Sequence, residues 1–320
     1  MSWLAQRLLW LLLLATSLAG PSLAASGTER AEAREVAIGV YSPDLGRRPA
    51  KVDRYARLLG RQPVIVSDYK QWDFAPFVKS ELIGTWRRGA VPMITWEPLS
   101  YHGNRYSLRG IARGRYDGYV RRAARAAAAW ERPLFVRFAH EMNGDWYPWG
   151  SRVEGNTAAR YKRAWRHVVR IFRRHGADNV RWVWTPHVNQ AGNLPFKRFF
   201  PGDRWVDWVG LDGFNWGYGG IYYTFKEIFG RSYRALARIS SRPMMIAETG
   251  TQRNDKARWI AQALRQLPRM RRIRALVWFN LPTNGVDLRF NSSRASLRAF
   301  RNGVRRPSYA LTRERLLRAG

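Results

Sequence analysis

The stretch Leu134-Phe135-Val136-Arg137-Phe138-Ala139-His140-Glu141-Met142-Asn143-Gly144 opens as an apolar run and closes on a histidine, a carboxylate and a glycine. A run that is apolar on consecutive positions, rather than on alternate ones, is what a parallel strand covered on both faces needs. Seven further runs of this kind flank it. They are Val36–Tyr41, Pro63–Ser67 and Val91–Trp96 on the N-terminal side, then Val180–Thr185, Val206–Leu211, Met244–Ala247 and Ile273–Phe279. Segments with helical spacing separate most of them: Asp53–Gly60, Phe77–Trp86, Tyr116–Trp130, Thr157–Phe172, Phe225–Ile239 and Asp255–Leu267, the last with Asn254 as its cap. After the fifth run, Pro195 and Pro201 limit any helix. Eight such alternations predict an α/β fold, a single-domain (β/α)8 barrel.

The flanks of the barrel read differently. Arg7, the apolar core Leu8 to Ala15 and the small-residue site Ser22-Leu23-Ala24 read as a signal peptide over residues 1–25, cleaved near Ala24 or Ala25. A polar segment follows over 26–35. The barrel is expected over 36–303, and 304–320 reads as a basic helix or tail, with Leu311–Leu317 packed outside the barrel. The leader predicts a secreted or periplasmic protein. The chain has no cysteine, which excludes disulfides, a thiolate nucleophile and a lipid-modified N-terminus.

The formal charge is +33, from 56 Lys and Arg against 23 Asp and Glu. Such a field attracts polyanions. The arginines are scattered, as in Arg121-Arg122, Arg173-Arg174 and Arg271-Arg272, and many fall on polar helix faces. They read mainly as solvated surface, with weak contact to an acidic cell envelope as the further expectation. No nucleic-acid-binding motif accompanies them, so no nucleic-acid partner is expected, and the chain is expected to be a monomer.

In a barrel of this kind, reactive groups sit at the C-terminal ends of the strands. The fourth run delivers Glu141 there and the seventh delivers Glu248. Paired carboxylates across a sugar-sized cleft are what glycosidic cleavage requires, one protonated and one ionised. Trp96, Trp146, Trp149, Trp216 and Trp278 fall at or just beyond strand ends, where flat rings suit the C–H faces of pyranoses. Trp130, Trp165 and Trp259 fall in helical segments and read as packing. Glu97, His102 and Asn104 after the third run, and His187 and Asn189 after the fifth, either reach sugar hydroxyls or hold their loops. Glu97, His102, Asp212 and Asp287 lack a spacing that specifies metal ligands, and the chemistry calls for neither metal nor cofactor.

The segment Arg137 to Gly144, with Trp146 and Trp149, resembles the signature of glycoside hydrolase family 26, a family of β-mannanases, mixed-linkage β-glucanases and β-1,3-xylanases. The similarity continues through Pro201-Gly202-Asp203, Val206 to Gly213, Ile246 to Gly250 and Val277 to Asn280. The resemblance implies a retaining mechanism, with Glu141 as general acid and then base and Glu248 as nucleophile. It implies that His140 contacts sugar or nucleophile, the other reading being a buried histidine bonded to backbone. It also implies that Trp278 lies beneath the sugar being cleaved. Asn143 either orients Glu141 or caps its loop. Relatives place a tyrosine where this chain has Phe214, so a hydroxyl donor to the nucleophile is missing there, with Tyr218 or Tyr222 as substitutes. The expected activity is endo-acting hydrolysis of a β-1,4-linked polysaccharide, with β-mannan ahead of mixed-linkage β-glucan. A carbohydrate-binding barrel without turnover, and an envelope protein acting on the cell's own exopolysaccharide, are the alternatives.

Overall fold

The computed structural model describes residues 35–102, 106–190 and 192–319. The expected signal peptide, the polar segment up to residue 34 and Asn104 lie outside the described residues. Eight parallel strands close in sequence order: β1 Ala37–Tyr41, β2 Ile65–Gln71, β3 Val91–Glu97, β4 Leu134–Phe138, β5 Val180–Trp184, β6 Trp208–Asp212, β7 Met244–Thr249 and β8 Ile273–Phe279. β8 pairs back onto β1, placing Tyr41 opposite Phe279. The helices outside are α1 Ala50–Leu59, α2 Lys79–Arg87, α3 Leu108–Ala112, α4 Asp117–Trp130, α5 Ala158–Arg174, α6 Phe225–Ile239, α7 Lys256–Gln266 and α8 Arg294–Val304, with α9 Arg313–Leu317 at the end. This is a (β/α)8 barrel. Between β5 and β6, where prolines limit a helix, single 3₁₀ turns at Phe196–Phe199 and Asp203–Trp205 take its place.

Local chemistry explains the helix starts. Thr224 and Glu227 form a reciprocal capping box at α6, and Thr157 accepts the Arg160 N–H at α5. At α7 the N-cap is Asp255, one residue later than Asn254 implied. Among the described residues no helix is long and apolar enough to cross a membrane.

Two apolar layers result from the strands' alternation. Residues such as Val40, Val136, Trp184 and Ile246 point outward against the helices, while Ala37, Met93, Phe135, Val183, Trp208 and Met245 fill the barrel interior. The C-terminal segment corrects an expectation. Leu311 and Leu316 are fully buried and belong to the interior cluster, not to an outer surface. The Ser308 carbonyl accepts the N–H of Val36 at the start of β1, and the Tyr309 hydroxyl donates to the Leu264 carbonyl. The segment therefore closes the N-terminal mouth of the barrel, and Ala33–Gly320 forms one compact unit. A peripheral tail would tolerate truncation of its leucines. Leu316→Ala is expected to lower stability by about 2–5 kcal/mol in urea unfolding, and a loss below about 0.5 kcal/mol would restore the peripheral reading.

Candidate active site

Arg137 on β4 is the only charged side chain of that strand, and it is fully buried. Its guanidinium donates to Glu248 Oε1 at 2.6 Å and to Asp212 Oδ2 at 2.5 Å, joining β4 to β7 and β6. Burial opposes its charge, yet the carboxylates of Asp212 and Glu248 hold its pKa above the ordinary arginine value. The β6–β7 register shifts beside Asp212, and the β7–β8 register shifts between Ile246 and Thr249. Such irregularities re-aim side chains, here the Glu248 carboxylate into the mouth.

A second donor reaches the same oxygen. The Tyr69 hydroxyl on β2 donates to Glu248 Oε1. Burial and the Glu248 charge push the phenol pKa far up, so it remains a donor. Glu248 Oε2 carries no hydrogen bond among the described residues. One oxygen of this carboxylate is thus held by two donors and the other is open.

Glu141 sits where the chain leaves β4. Ala139 and Glu141 both have positive φ, 44° and 53°, a conformation uncommon for non-glycine residues. Neighbouring strands hold this exit: the Trp96 carbonyl accepts the N–H of Ala139, and the Thr185 carbonyl accepts that of Glu141. The Trp146 indole folds back and donates to Glu141 Oε2 at 2.7 Å. A Cβ on Gly144 would lie 2.2 Å from that ring, so only glycine lets the indole reach the carboxyl. Burial, followed by the nearby Glu248 charge, raises the Glu141 pKa to about 8.

His140 is buried between Tyr69, Tyr147 and Trp149, with ring centroids 5.8, 4.8 and 5.9 Å away. Burial and Arg137 hold its pKa well below 6.5, leaving the imidazole neutral. Neither ring nitrogen has a partner among the described residues, so the backbone-bonded reading is not what the structure shows. His140, Asp212 and Glu248 each bring one potential ligand atom within 4.8 Å of the others. The Arg137 guanidinium already supplies the cation between the two carboxylates.

These groups surround a cleft of about 870 Å³. Trp146, His187, Asn189, Trp216 and Phe214 line it as expected, together with Tyr41, Tyr147 and Phe279, which sequence reading did not single out. Three tryptophans do not join them. Trp149 lies beneath Tyr147, stacked at 4.4 Å, with its indole donating to the His140 carbonyl. Trp278 packs on Trp259 and Phe300, and its indole donates to the Leu288 carbonyl. Trp96 is buried among Phe77, Phe172 and Tyr119. All three are core residues.

Asn143 ties two loops together: its amide donates to the His187 carbonyl and its Oδ1 accepts the His187 N–H. The loop-capping reading therefore holds for it. Glu97 is buried at the end of β3, accepts from Gln71, and has its pKa raised by burial to about 7. His102 is exposed, 6.4 Å from Phe74. The Tyr222 ring packs under Arg253, and the side chain of Tyr218 lies outside the described residues. The donor to Glu248 is neither of them but Tyr69.

The chain resembles several known proteins. Residues 119–263 match the model of glycosyl hydrolase family 26. Endoglucanase H of Acetivibrio thermocellus is 36% identical over 276 residues, covering 81% of this chain and 30% of that protein. A mannan endo-1,4-beta-mannosidase of Bacillus subtilis is 26% identical, covering 42% of this chain and 43% of that protein. The chain thus spans less than half the length of these relatives. A β-mannanase structure from Bacteroides ovatus shares the fold, with a TM-score of 0.63, 17% identity and coverage of 87% and 91% of the two chains.

Replacing the central cation tests the electrostatic account directly. Arg137→Met leaves two buried carboxylates without their counter-charge and is expected to cost about 3–5 kcal/mol in urea unfolding at neutral pH. The loss should shrink on acidification, because burial holds the Asp212 carboxyl above its ordinary range and protonation removes its charge. A pH-independent loss of about 1 kcal/mol or less would show that Arg137 is not their counter-ion.

Proposed function

The chain belongs to glycosyl hydrolase family 26, and from that premise we propose a retaining endo-β-glycanase that cleaves a neutral β-1,4-linked polysaccharide with Glu141 and Glu248. The observation that carries this reading is the asymmetry of the two glutamates. Glu141 is raised to about 8 and enters the reaction with its proton, while Glu248 is anchored through one oxygen and presents the other.

In the first step Glu141 gives its proton to the glycosidic oxygen and Glu248 Oε2 bonds to the anomeric carbon, as the bond to the leaving sugar breaks. Glu141, now ionised, takes a proton from water, whose oxygen displaces Glu248 and restores both side chains. Tyr69 and Arg137 hold the nucleophile's second oxygen throughout. Trp146 fixes the carboxyl of Glu141 at the cleft wall. The unpartnered nitrogens of neutral His140 suit a sugar hydroxyl beside Glu248, and Phe279, Tyr41 and Trp216 supply flat apolar surface. Exposed Ile221 and Tyr223 line the same cleft and extend its apolar wall beyond the pair, as an endo-acting enzyme on a long chain requires.

Among substrates, β-glucan stands ahead of β-mannan, reversing the order read from sequence. The similarity to an endoglucanase is higher and covers about twice as much of the chain as that to the mannosidase. The leader-like N-terminus supports action outside the cytoplasm, and one chain carries the cleft and both glutamates, which supports action as a monomer.

The two roles are separable with an aryl β-glycoside and azide. Glu141→Ala should form the glycosyl-enzyme but turn it over slowly, and azide should restore turnover with a β-configured azide product. Glu248→Ala should give the α-configured azide. Proton NMR of the products reads the anomer; swapped anomers reverse the roles, and unchanged turnover of polysaccharide in both variants removes the pair from catalysis.

Tyr69→Phe isolates the second donor. Loss of one hydrogen bond to a charged group, about 1.5–3 kcal/mol, corresponds to a roughly ten- to hundredfold fall in kcat with KM little changed. A change in KM alone would place Tyr69 in sugar binding instead.

A further inference from the structure

Most of the positive charge plays no part in the cleft. On the outer wall, the guanidiniums of Arg170, Arg173 and Arg204 all lie against one ring, 5.6, 5.4 and 5.0 Å from the centroid of Trp205. Arg170 and Arg173 come from the last turns of α5, and Arg204 from the 3₁₀ turn before β6. All three are exposed, and none forms an ion pair among the described residues. Asp203, next in sequence to Arg204, is already taken: Ser240 donates to one of its oxygens, and the hydroxyl and N–H of Ser241 donate to the other. Three like charges gathered on one ring with no direct ion-pair partner among the described residues are a poor arrangement in the free protein, and a good one for a bound polyanion.

The cluster is not isolated. Arg163, two turns before Arg170, and Arg174, one turn after it, continue it along the exposed side of α5. Where α5 meets α4, the acid at the seam, Asp117, is bonded to His167 at 2.7 Å and paired with Arg121. The basic strip along α5 thus runs about three turns, roughly 17 Å, with no ion pair to its arginines among the described residues.

We infer that the Arg170–Arg173–Arg204 cluster on Trp205, with the strip along α5, is a docking site for an acidic polysaccharide, a chain carrying carboxylates on successive sugars. Forked guanidiniums in a row match carboxylates in a row, each pair able to bond through two N–H groups. A bilayer fits less well. The exposed large apolar side chains among the described residues are Phe74, Tyr101, Trp146, Ile221 and Tyr223, none of them on α4 or α5, so this wall has nothing to bury in lipid. Nucleic acid fits less well too, because none of these exposed rings is on this wall for bases to stack on; Trp205 is covered by its own arginines. The site holds the enzyme to an acidic matrix and leaves the mouth open to a neutral glycan.

The test uses the whole chain and polygalacturonate, with neutral dextran, anionic phospholipid vesicles and single-stranded DNA as comparisons, in calorimetry over a salt series. Arg170→Gln/Arg173→Gln/Arg204→Gln should weaken polygalacturonate binding about tenfold or more. Arg294→Gln/Arg298→Gln/Arg305→Gln removes the same charge at α8, across the barrel, and should weaken it less than about threefold. Binding should persist in the Glu248→Ala protein, which separates this site from the catalytic reading. Equal losses in the two triple variants would reduce the effect to net charge and overturn the site, as would tighter cluster-dependent binding of vesicles or DNA. Should the glutamine cluster variant fail to fold, as judged by its Tm, the lysine counterpart decides. A loss beyond about threefold with charge retained supports guanidinium recognition, and no loss overturns it.

Discussion

One buried cation organises the mouth of this barrel. Arg137 has no access to water, and such a charge is tolerable only with partners at close range. It finds them in Glu248 and Asp212, from two other strands, so the pairing that neutralises Arg137 also fixes where Glu248 stands. The same arrangement separates the two glutamates chemically. Glu248 has a guanidinium and a phenol on one oxygen, whereas Glu141 has an indole, deep burial and a carboxylate as neighbour. Two identical side chains in one cleft acquire different surroundings from partners that the strands themselves deliver, and burial beside a carboxylate holds the Glu141 carboxyl up.

The fold was legible because barrel strands are covered on both faces, and continuous apolar runs mark them. Strand two shows where that signal fails. Its apolar part ends at Ser67, but pairing with β3 continues through Asp68, Tyr69, Lys70 and Gln71. Polar residues at the end of a barrel strand resemble a loop, although that end is where function resides. Tyr69 is hidden in the sequence for this reason, and the hydroxyl missing at Phe214 comes from β2, not from Tyr218 or Tyr222 further along the chain. The signal that could have found it is the β-favouring character of the tyrosine and its place at an inward position, two residues after Ser67. Leu311 and Leu316 are hidden for another reason: a short basic helix looks like surface, whereas these leucines fill the open end of the barrel.

The tryptophans illustrate the same parity rule. On β8, Trp278 faces the helices and Phe279 faces the mouth; on β4, Phe138 faces out and Arg137 in. Composition alone favours tryptophan as the sugar platform, because it has the larger ring. Alternation along the strand decides otherwise, and the smaller Phe279 and Tyr41 take the wall of the cleft. The two catalytic candidates were recoverable because each follows an apolar strand, while their supports required the register. Asn143 and Trp149 belong to the same signature as Glu141, yet they build the loop under it and do not reach the cleft.

Strong basicity and acid–base chemistry within one small domain raise the question of interference between them. An outer arginine acts on the mouth through water and mobile ions, which screen charge over about 8 Å at physiological ionic strength. Inside the mouth, Arg137, Asp212, Glu248 and Glu141 interact at contact or near-contact range with little water between them, so local partners dominate. Carboxyl chemistry can therefore be set by one internal arginine while many external ones vary with little effect on it. That separation lets the barrel's outer wall acquire a binding role of its own, because charge added to α5 need not disturb the nucleophile or the acid.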